Sequence, residues 1–205
     1  MLYMVDIFEN RRSVNFFDKT KDISNDLLKK IIERATLAPS AFNLQPWEII
    51  AVRSEEAKQK LFETSNRQPK ILEAPVTLII LGDKEGFSEN NSSWKVMYDA
   101  FKNEESLKNS QNAAAFLYGS TEERKIKFAE SNAGLLAMSI MYAVKEQGLD
   151  SHPMSGIDFE GIAKAFDIDS SKSVVMTIAI GYHDDSKEIF PRLKRKSFDE
   201  IVKIV

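Results

Sequence analysis

The segment PVTLIIL, from Pro75 to Leu81, restricts the possible folds of this chain more than any other feature. It is a continuous apolar run, rich in β-branched residues, that is bounded by Pro75 and Gly82. Such a run is typical of a strand that is buried on both faces. Because both faces need cover, the segment predicts a sheet that lies between layers of other elements.

The remaining apolar patterns predict strands that are widely separated by helices. We expect further strands at Trp47–Val52 and Val174–Ile180, and strand-like ends in the tail Phe198–Val205. Helices are expected at Ser24–Ala38 with Ser24 as the N-cap, at Glu55–Phe62, more weakly within residues 88–117, and at Glu122–Gln147 before Gly148. This order indicates an α/β or α+β fold on one sheet. No linker rich in Pro, Gly or Ser interrupts the chain, so we expect a single domain over residues 1–205.

The longest predicted helix is unusually apolar. Its central stretch, Ala133–Val144, is apolar nearly all round, which predicts burial rather than a place at the surface. A small monomer offers little room for such a helix in its outer layer. Burial against a second subunit would explain the pattern.

Composition excludes several kinds of chemistry. The 205 residues contain no cysteine, which removes disulfides, thiolate nucleophiles, iron–sulfur ligation and cysteine-containing zinc sites. The two histidines, His152 and His183, could at most contribute to a carboxylate-rich metal site, and we expect no metal. A net charge of −3, from 28 basic and 31 acidic residues, gives no general reason to expect a nucleic acid or an acidic lipid as partner.

Targeting signals and common nucleotide motifs are also missing. The start, MLYMVDIFENRRS, does not have the pattern of a signal peptide, and the most apolar segment, Gly134–Val144, is far shorter than the roughly 20 residues that span a bilayer. We therefore expect a cytoplasmic protein that binds no membrane. None of the eight glycines has the spacing of a dinucleotide-binding loop, and no P-loop, H-E-x-x-H or G-x-S-x-G pattern occurs.

Two polar segments in the first quarter of the chain could bind a ligand. Arg11–Phe17 (RRSVNFF) groups donors that suit a phosphate or the carbonyl oxygens of a planar heterocycle, although a solvated turn is the simpler interpretation. Ala38–Trp47 (APSAFNLQPW) combines two prolines with neutral polar groups and two aromatic rings. It could hold a flat ligand, or it could be only a proline-stiffened connection.

Two further segments lie in the last third of the chain. His152–Gly156 (HPMSG) contains a glycine that would let a backbone N–H approach a ligand closely, and the alternative is an ordinary left-handed or turn glycine. Pro191–Lys196 (PRLKRK) could hold a phosphate dianion. The alternatives for this basic run are a solvated face or a weak nucleic-acid patch.

Taken in this order, the four segments resemble the nitroreductase family. The pattern R-R-S-x-R/K-x-F of the family is similar to Arg11–Phe17, and its pattern A-P-S-x-x-N-x-Q-P-W matches Ala38–Trp47 at every fixed position. The resemblance continues to the C-terminal arrangement that contains Gly181-Tyr182, Pro191-Arg192, Arg195 and Glu200-Ile201-Val202.

The resemblance implies a fold, a cofactor and a reaction. The fold is α+β, with three α-β-α layers around a mostly antiparallel sheet, in a homodimer with FMN at the interface. The reaction is a ping-pong transfer of hydride from NADH or NADPH to FMN N5 and then to a small acceptor such as a nitroaromatic, a quinone or an enone. Because the cofactor carries the chemistry, no catalytic side chain is expected. The alternative is a flavin-binding or interaction protein with the same fold and little turnover.

The resemblance also implies which residues contact FMN. Asn15 stands where the family usually has a basic residue near the pyrimidine edge of the flavin, and Lys70 is a candidate to compensate. In the tail, counting from Pro191 selects Arg192 and Lys194, whereas counting back from Glu200 selects Arg195. Arg11, Arg12 and Ser13 would contact the phosphate and the ribityl chain, and Arg67 and Lys70 would lie near the ring. The loop residues Pro39, Ser40, Ala41 and Asn43 would reach the flavin of the partner subunit. Met154, Ser155 and Gly156 would lie beside N5, with the Gly156 N–H as donor.

The segment 88–118 lies where members of the family differ most. Phe101, Phe116 and Tyr118 are candidates to cover the substrate pocket, and the alternative is that they are ordinary core or interface aromatics. The sequence leaves open the physiological acceptor and the preference between NADH and NADPH.

Overall fold

The computed structural model describes residues 6–205, so the first five residues of the N-terminal stretch discussed above lie outside it. Four strands form one sheet in the order β1-β2-β4-β3, and every neighbouring pair is antiparallel. The strands are β1 (Trp47–Val52), β2 (Val76–Asp83), β3 (Asp150–Met154) and β4 (Lys172–Gly181). The expectation of an antiparallel sheet is confirmed.

Nine α-helices accompany this sheet within residues 6–205, and two groups of them cover its two faces. They are α1 (Ile7–Asn10), α2 (Asn25–Ala35), α3 (Glu55–Glu63), α4 (Lys70–Glu73), α5 (Ser93–Phe101), α6 (Glu104–Gly119), α7 (Glu122–Glu146), α8 (Phe159–Ala165) and α9 (Phe198–Ile201). Helices α2 and α7 share one core with the sheet, and α3, α4 and α8 share the other. The result is three α-β-α layers, as the resemblance implied. No helix within residues 6–205 combines the length and apolar character that a bilayer crossing requires.

Strand β2 lies at the centre of the sheet. Its first seven residues are all buried, which confirms the prediction made from the PVTLIIL run. Leu78 and Ile80 pack on the side of α7, while Ile79 and Leu81 pack on the side of α3 and α8. At Gly82 a Cβ atom would lie 2.7 Å from the backbone of Ala129, so glycine permits the close approach of α7 to this strand.

Helix ends follow the predicted signals. The Ser24 side chain accepts a hydrogen bond from the Leu27 backbone N–H, and this bond caps α2. Gly148, just beyond α7, has a φ of 75°, which is the left-handed conformation expected of a residue after a helix.

The structure differs from the sequence-based expectations in three places. The segment that follows α7 is the edge strand β3, which the sequence patterns did not predict, and an edge is where the sheet can accept Pro153. The tail is not strand-like, because Ser197 and Glu200 form a capping box that begins the helical turn α9. Helix α7 is not buried all round, since Leu135 is 48% exposed while Met138 and Tyr142 are half-buried.

Candidate functional site

Four arginines from the two ends of the chain line one cavity of about 200 Å³. We call this cavity the basic pocket. It is lined by Arg11, Arg12, Ser13, Phe190, Pro191, Arg192, Leu193 and Arg195. Two of the four predicted segments therefore meet in the fold, although about 180 residues of sequence separate them.

Hydrogen bonds to backbone carbonyls hold the basic pocket together. The Arg192 Nη2 atom donates to the carbonyl oxygens of Glu9 and Arg11, at 2.7 and 2.9 Å, and the Arg12 guanidinium donates to the carbonyl oxygen of Phe190. Within residues 6–205 none of the four arginines forms a salt bridge. Burial, and then repulsion from Arg192, lower the pKa of Arg11. Uncompensated guanidiniums in a cavity are a donor set that fits a phosphate dianion.

The structure brings together one residue from each of the two possible registers of the basic tail. Arg192 and Arg195 both line the basic pocket, whereas Lys194 does not. Each count along the sequence had selected one of these two arginines. The prediction of Lys194 as a contact is not supported by this geometry, because its neighbours occupy the wall of the pocket.

From the basic pocket, the N-terminal segment runs along the edge strand β3. Ser13 forms a parallel bridge with Ser151, and the Val14 N–H donates to the Ser151 carbonyl oxygen at 3.2 Å. The His152 ring donates from Nδ1 to the Val14 carbonyl oxygen at 2.7 Å. Since the Val14 side chain is buried in the core, its neighbours Ser13 and Asn15 are carried along the sheet edge.

The end of β3 brings Gly156 to an open position. A Cβ atom built on Gly156 would find nothing within 4 Å, so its backbone is accessible to a ligand. Its φ is not positive, and the alternative of a left-handed glycine is therefore wrong. Met154 is only 3% exposed and its side chain packs in the core, so of the predicted trio only Ser155 and Gly156 are open.

Two side-chain amides that the sequence did not single out hold Gly156. Its carbonyl oxygen accepts hydrogen bonds from Asn66 Nδ2 at 2.8 Å and from Gln68 Nε2 at 3.2 Å. The Lys70 Nζ atom lies 3.3 Å from Gln68 Oε1. The amides immediately before Lys70, in the stretch NRQPK, were the signal that could have revealed them.

The charges around this end of β3 are not equivalent. Burial lowers the pKa of Lys70, and burial together with the charge of Lys70 lowers the pKa of His152. Arg67, by contrast, forms an exposed salt bridge of 3.0 Å with Glu63. The structure therefore brings Lys70 to the site but not the guanidinium of Arg67, since α3 holds that group at the surface.

The segment Ala38–Trp47 forms a tightly held loop before β1. The Ser40 Oγ atom accepts a hydrogen bond of 3.0 Å from the Gln45 N–H, and the Phe42 ring lies 6.0 Å from Trp94 and 6.3 Å from Tyr118. Within residues 6–205 the Asn43 side chain makes no hydrogen bond and is exposed. These contacts hold the loop in place, and the loop presents a free amide.

The aromatics of α5 and α6 have different environments. Tyr118 stacks on Phe128 with ring centroids 4.4 Å apart, so it is a core residue, as the alternative interpretation expected. Phe101 and Phe116 are 74% and 73% exposed. These two rings are still candidates to cover a pocket.

Fold, site and comparisons with known proteins define the class as NAD(P)H-linked oxidoreductases of α+β architecture. The model of the nitroreductase family matches residues 8–182, and the chain belongs to that family.

Individual relatives agree with this assignment. The chain is 32% identical over 198 residues, 96% of each protein, to MhqN of Bacillus subtilis (strain 168), which is provisionally named an NAD(P)H nitroreductase. It is 32% identical to the CLA biosynthesis enone reductase of Lactiplantibacillus plantarum, over 87% of this chain and 84% of that protein. A Staphylococcus epidermidis structure, described provisionally as an NAD(P)H:FMN oxidoreductase, superimposes with a TM-score of 0.88 at 27% identity, covering 97% and 94% of the two chains.

Proposed function

We propose that the chain is an FMN-dependent oxidoreductase that takes a hydride from NADH or NADPH and reduces a small acceptor such as a nitroaromatic, a quinone or an enone. The observation that carries the proposal is the basic pocket, which continues along β3 to the open backbone of Gly156. When bound, FMN supplies a ring nitrogen, N5, that accepts and then donates hydride. The residues of the chain bind, orient and tune that group.

The four arginines would bind the phosphate of FMN. Arg11, Arg12, Arg192 and Arg195 supply charged donors, and the repulsion among them is what an anion would relieve. Ser13 is the neutral donor next in line, where the ribityl chain would leave the pocket.

The residues around Gly156 would contact the ring of FMN. Asn66 and Gln68 hold the carbonyl oxygen of Gly156 and thereby orient the backbone beside it, with the Gly156 N–H as the donor toward N5. Lys70 supplies the positive charge near the pyrimidine edge, where Asn15 is neutral.

The working unit is a homodimer in which Pro39, Ser40, Ala41 and Asn43 reach the flavin of the partner subunit. The outward stripe of α7, formed by Leu135, Met138 and Tyr142, is an apolar surface that a second copy would cover. The C-terminal segment supports the same arrangement, because its apolar side chains lack cover within one chain. They are Ile189, Phe190, Leu193, Phe198, Ile201, Val202 and Ile204, each at least 40% exposed.

The neutral Asn15 favours one other candidate, a flavin-binding protein with little turnover. One experiment separates the two functions. Purified protein is expected to be yellow or to take up added FMN, and its flavin absorbance should bleach when NADH or NADPH is added without oxygen. Colourless protein that does not bind FMN contradicts both functions, while bound flavin that neither nucleotide bleaches supports the binding protein.

A further inference from the structure

The loop from Pro39 to Gln45 has a backbone conformation that needs support. Phe42, Asn43 and Gln45 have φ values of 52°, 56° and 48°, in the left-handed region that residues with a Cβ atom seldom adopt. Such a conformation persists only where surrounding contacts enforce it, and it is often found at functional sites.

One of these contacts comes from a buried side chain of helix α7. The Asn132 Oδ1 atom accepts a hydrogen bond of 2.9 Å from the Ala41 N–H, and its Nδ2 atom donates one of 2.7 Å to the Phe128 carbonyl oxygen. Asn132 is 6% exposed, its bond to Phe128 is buried and its bond to Ala41 is partly buried. A buried amide whose oxygen is used in this way sets the place of the loop relative to the helix.

We propose that Asn132 is a positioning residue for the flavin site. It holds the Ala41 backbone so that the loop presents the free Asn43 side chain to the flavin. The inference rests on the proposed function, because it assigns a cause to the geometry of one wall of that site. It also links this wall to the apolar stripe, since Asn132 and Leu135 lie within one turn of the same helix.

The neighbouring residue provides a matched control. The Ser131 Oγ atom donates to the same Phe128 carbonyl oxygen, at 3.3 Å, but no hydrogen bond joins it to the loop within the described residues. Ser131→Ala therefore removes one bond to Phe128 and leaves the Ala41 contact in place. Asn132→Leu keeps the number and branching of the side-chain heavy atoms and removes both bonds of the amide.

The experiment measures FMN affinity by titration and amide exchange of Ala41 by NMR in wild type, Asn132→Leu and Ser131→Ala. Asn132→Leu is expected to raise the FMN dissociation constant about tenfold or more and to lose protection at Ala41, because the loop is released. Ser131→Ala should change neither quantity. Wild-type affinity in Asn132→Leu would overturn the inference and leave the proposed function standing, whereas a wild type that binds no FMN refutes the proposed function itself.

A second variant decides the question if Asn132→Leu does not fold. In Asn132→Asp, a neutral carboxyl offers an oxygen to Ala41 and a hydroxyl to Phe128, as the amide does. Once ionised, the same group loses its donor and is repelled by the Phe128 carbonyl. FMN affinity relative to wild type at the same pH should therefore be near normal in mild acid and fall as pH rises. A ratio that does not change with pH contradicts the positioning role.

Discussion

The Arg192 guanidinium donates a hydrogen bond of 2.9 Å to the carbonyl oxygen of Arg11, across 181 residues of sequence. A second bond of 2.7 Å, to the carbonyl oxygen of Glu9, holds the same side chain. These bonds use backbone oxygens rather than carboxylates, so they position the guanidinium without neutralising it. The charge stays available to an anion in the basic pocket.

Replacing Arg11 tests the phosphate role of this pocket. Arg11→Ala should weaken FMN binding by about 1.5–3 kcal/mol, since a charged hydrogen bond to the phosphate is lost. That loss corresponds to an increase in the dissociation constant of roughly 10- to 150-fold. Quenching of flavin fluorescence on binding measures it.

Lys194→Ala is the control for Arg11→Ala. Lys194 belongs to the same basic run but lies outside the pocket, so FMN affinity should stay within about twofold of wild type. Equal losses in the two variants would mean that general charge, and not the pocket, attracts the phosphate. Unchanged affinity in Arg11→Ala would refute the assignment directly.

Mixed dimers test whether each flavin site uses both chains. One protomer carries Arg11→Ala and the other carries Asn43→Ala. If the loop serves the partner's flavin, both defects fall in one site and the other site is intact, so half of the sites should bind FMN with wild-type affinity. If each loop serves its own chain, every site carries one defect and no wild-type site is left. Titration with FMN distinguishes these stoichiometries.

The apolar stripe of α7 predicts the oligomeric state. Leu135→Glu places a charge on this surface and should convert dimer to monomer, because an unpaired charge in an apolar interface is costly. Light scattering after gel filtration measures the mass. Phe159→Glu is the matched control: Phe159 is 40% exposed but lies on α8, on the other side of the sheet. A dimer that persists in Leu135→Glu but is lost in Phe159→Glu would contradict the prediction and place the interface on the α8 side of the sheet.

His152 predicts a dependence of stability on pH. Its pKa in the folded protein is lowered from 6.5 by burial and by Lys70, so the folded state disfavours the protonated ring. The unfolded chain then binds more protons in acid, and the free energy of unfolding should fall as pH drops below about 6.5. The contribution of His152 to the free energy of unfolding is fully present above that pH. The hydrogen bond to Val14 opposes the shift without reversing it.

Urea unfolding at several pH values measures this effect. His152→Gln removes the titrating ring, so its stability should fall less steeply between about pH 7.5 and pH 5.5 than that of the wild type. Parallel stability curves for the two proteins would show that His152 does not titrate differently in the folded state. An NMR titration of the His152 ring gives the same answer by an independent route.

Local patterns were sufficient to predict most of the elements. The run PVTLIIL predicted the buried central strand, because a strand with apolar side chains on both faces must be covered on both faces. The capping serine before α2 and the glycine after α7 predicted helix ends, since these residues satisfy backbone groups within one turn. Strand β3 was missed because a short edge strand containing Pro153 has little periodicity to detect.

The sequence by itself determined most of the helices and strands, the family motifs and the scarcity of reactive side chains that agrees with chemistry carried by a cofactor. Only the tertiary structure decided that Arg195 and Arg192, but not Lys194, line one pocket with Arg11, and that Asn66 and Gln68 hold Gly156. Spacing along the chain encodes which residues share a turn or a strand face, whereas contacts across 90 to 180 residues depend on how the helices pack on the sheet. The burial of the two cores fixes how the helices pack on the sheet, and this packing sets the geometry of the site. Local sequence patterns do not encode that packing.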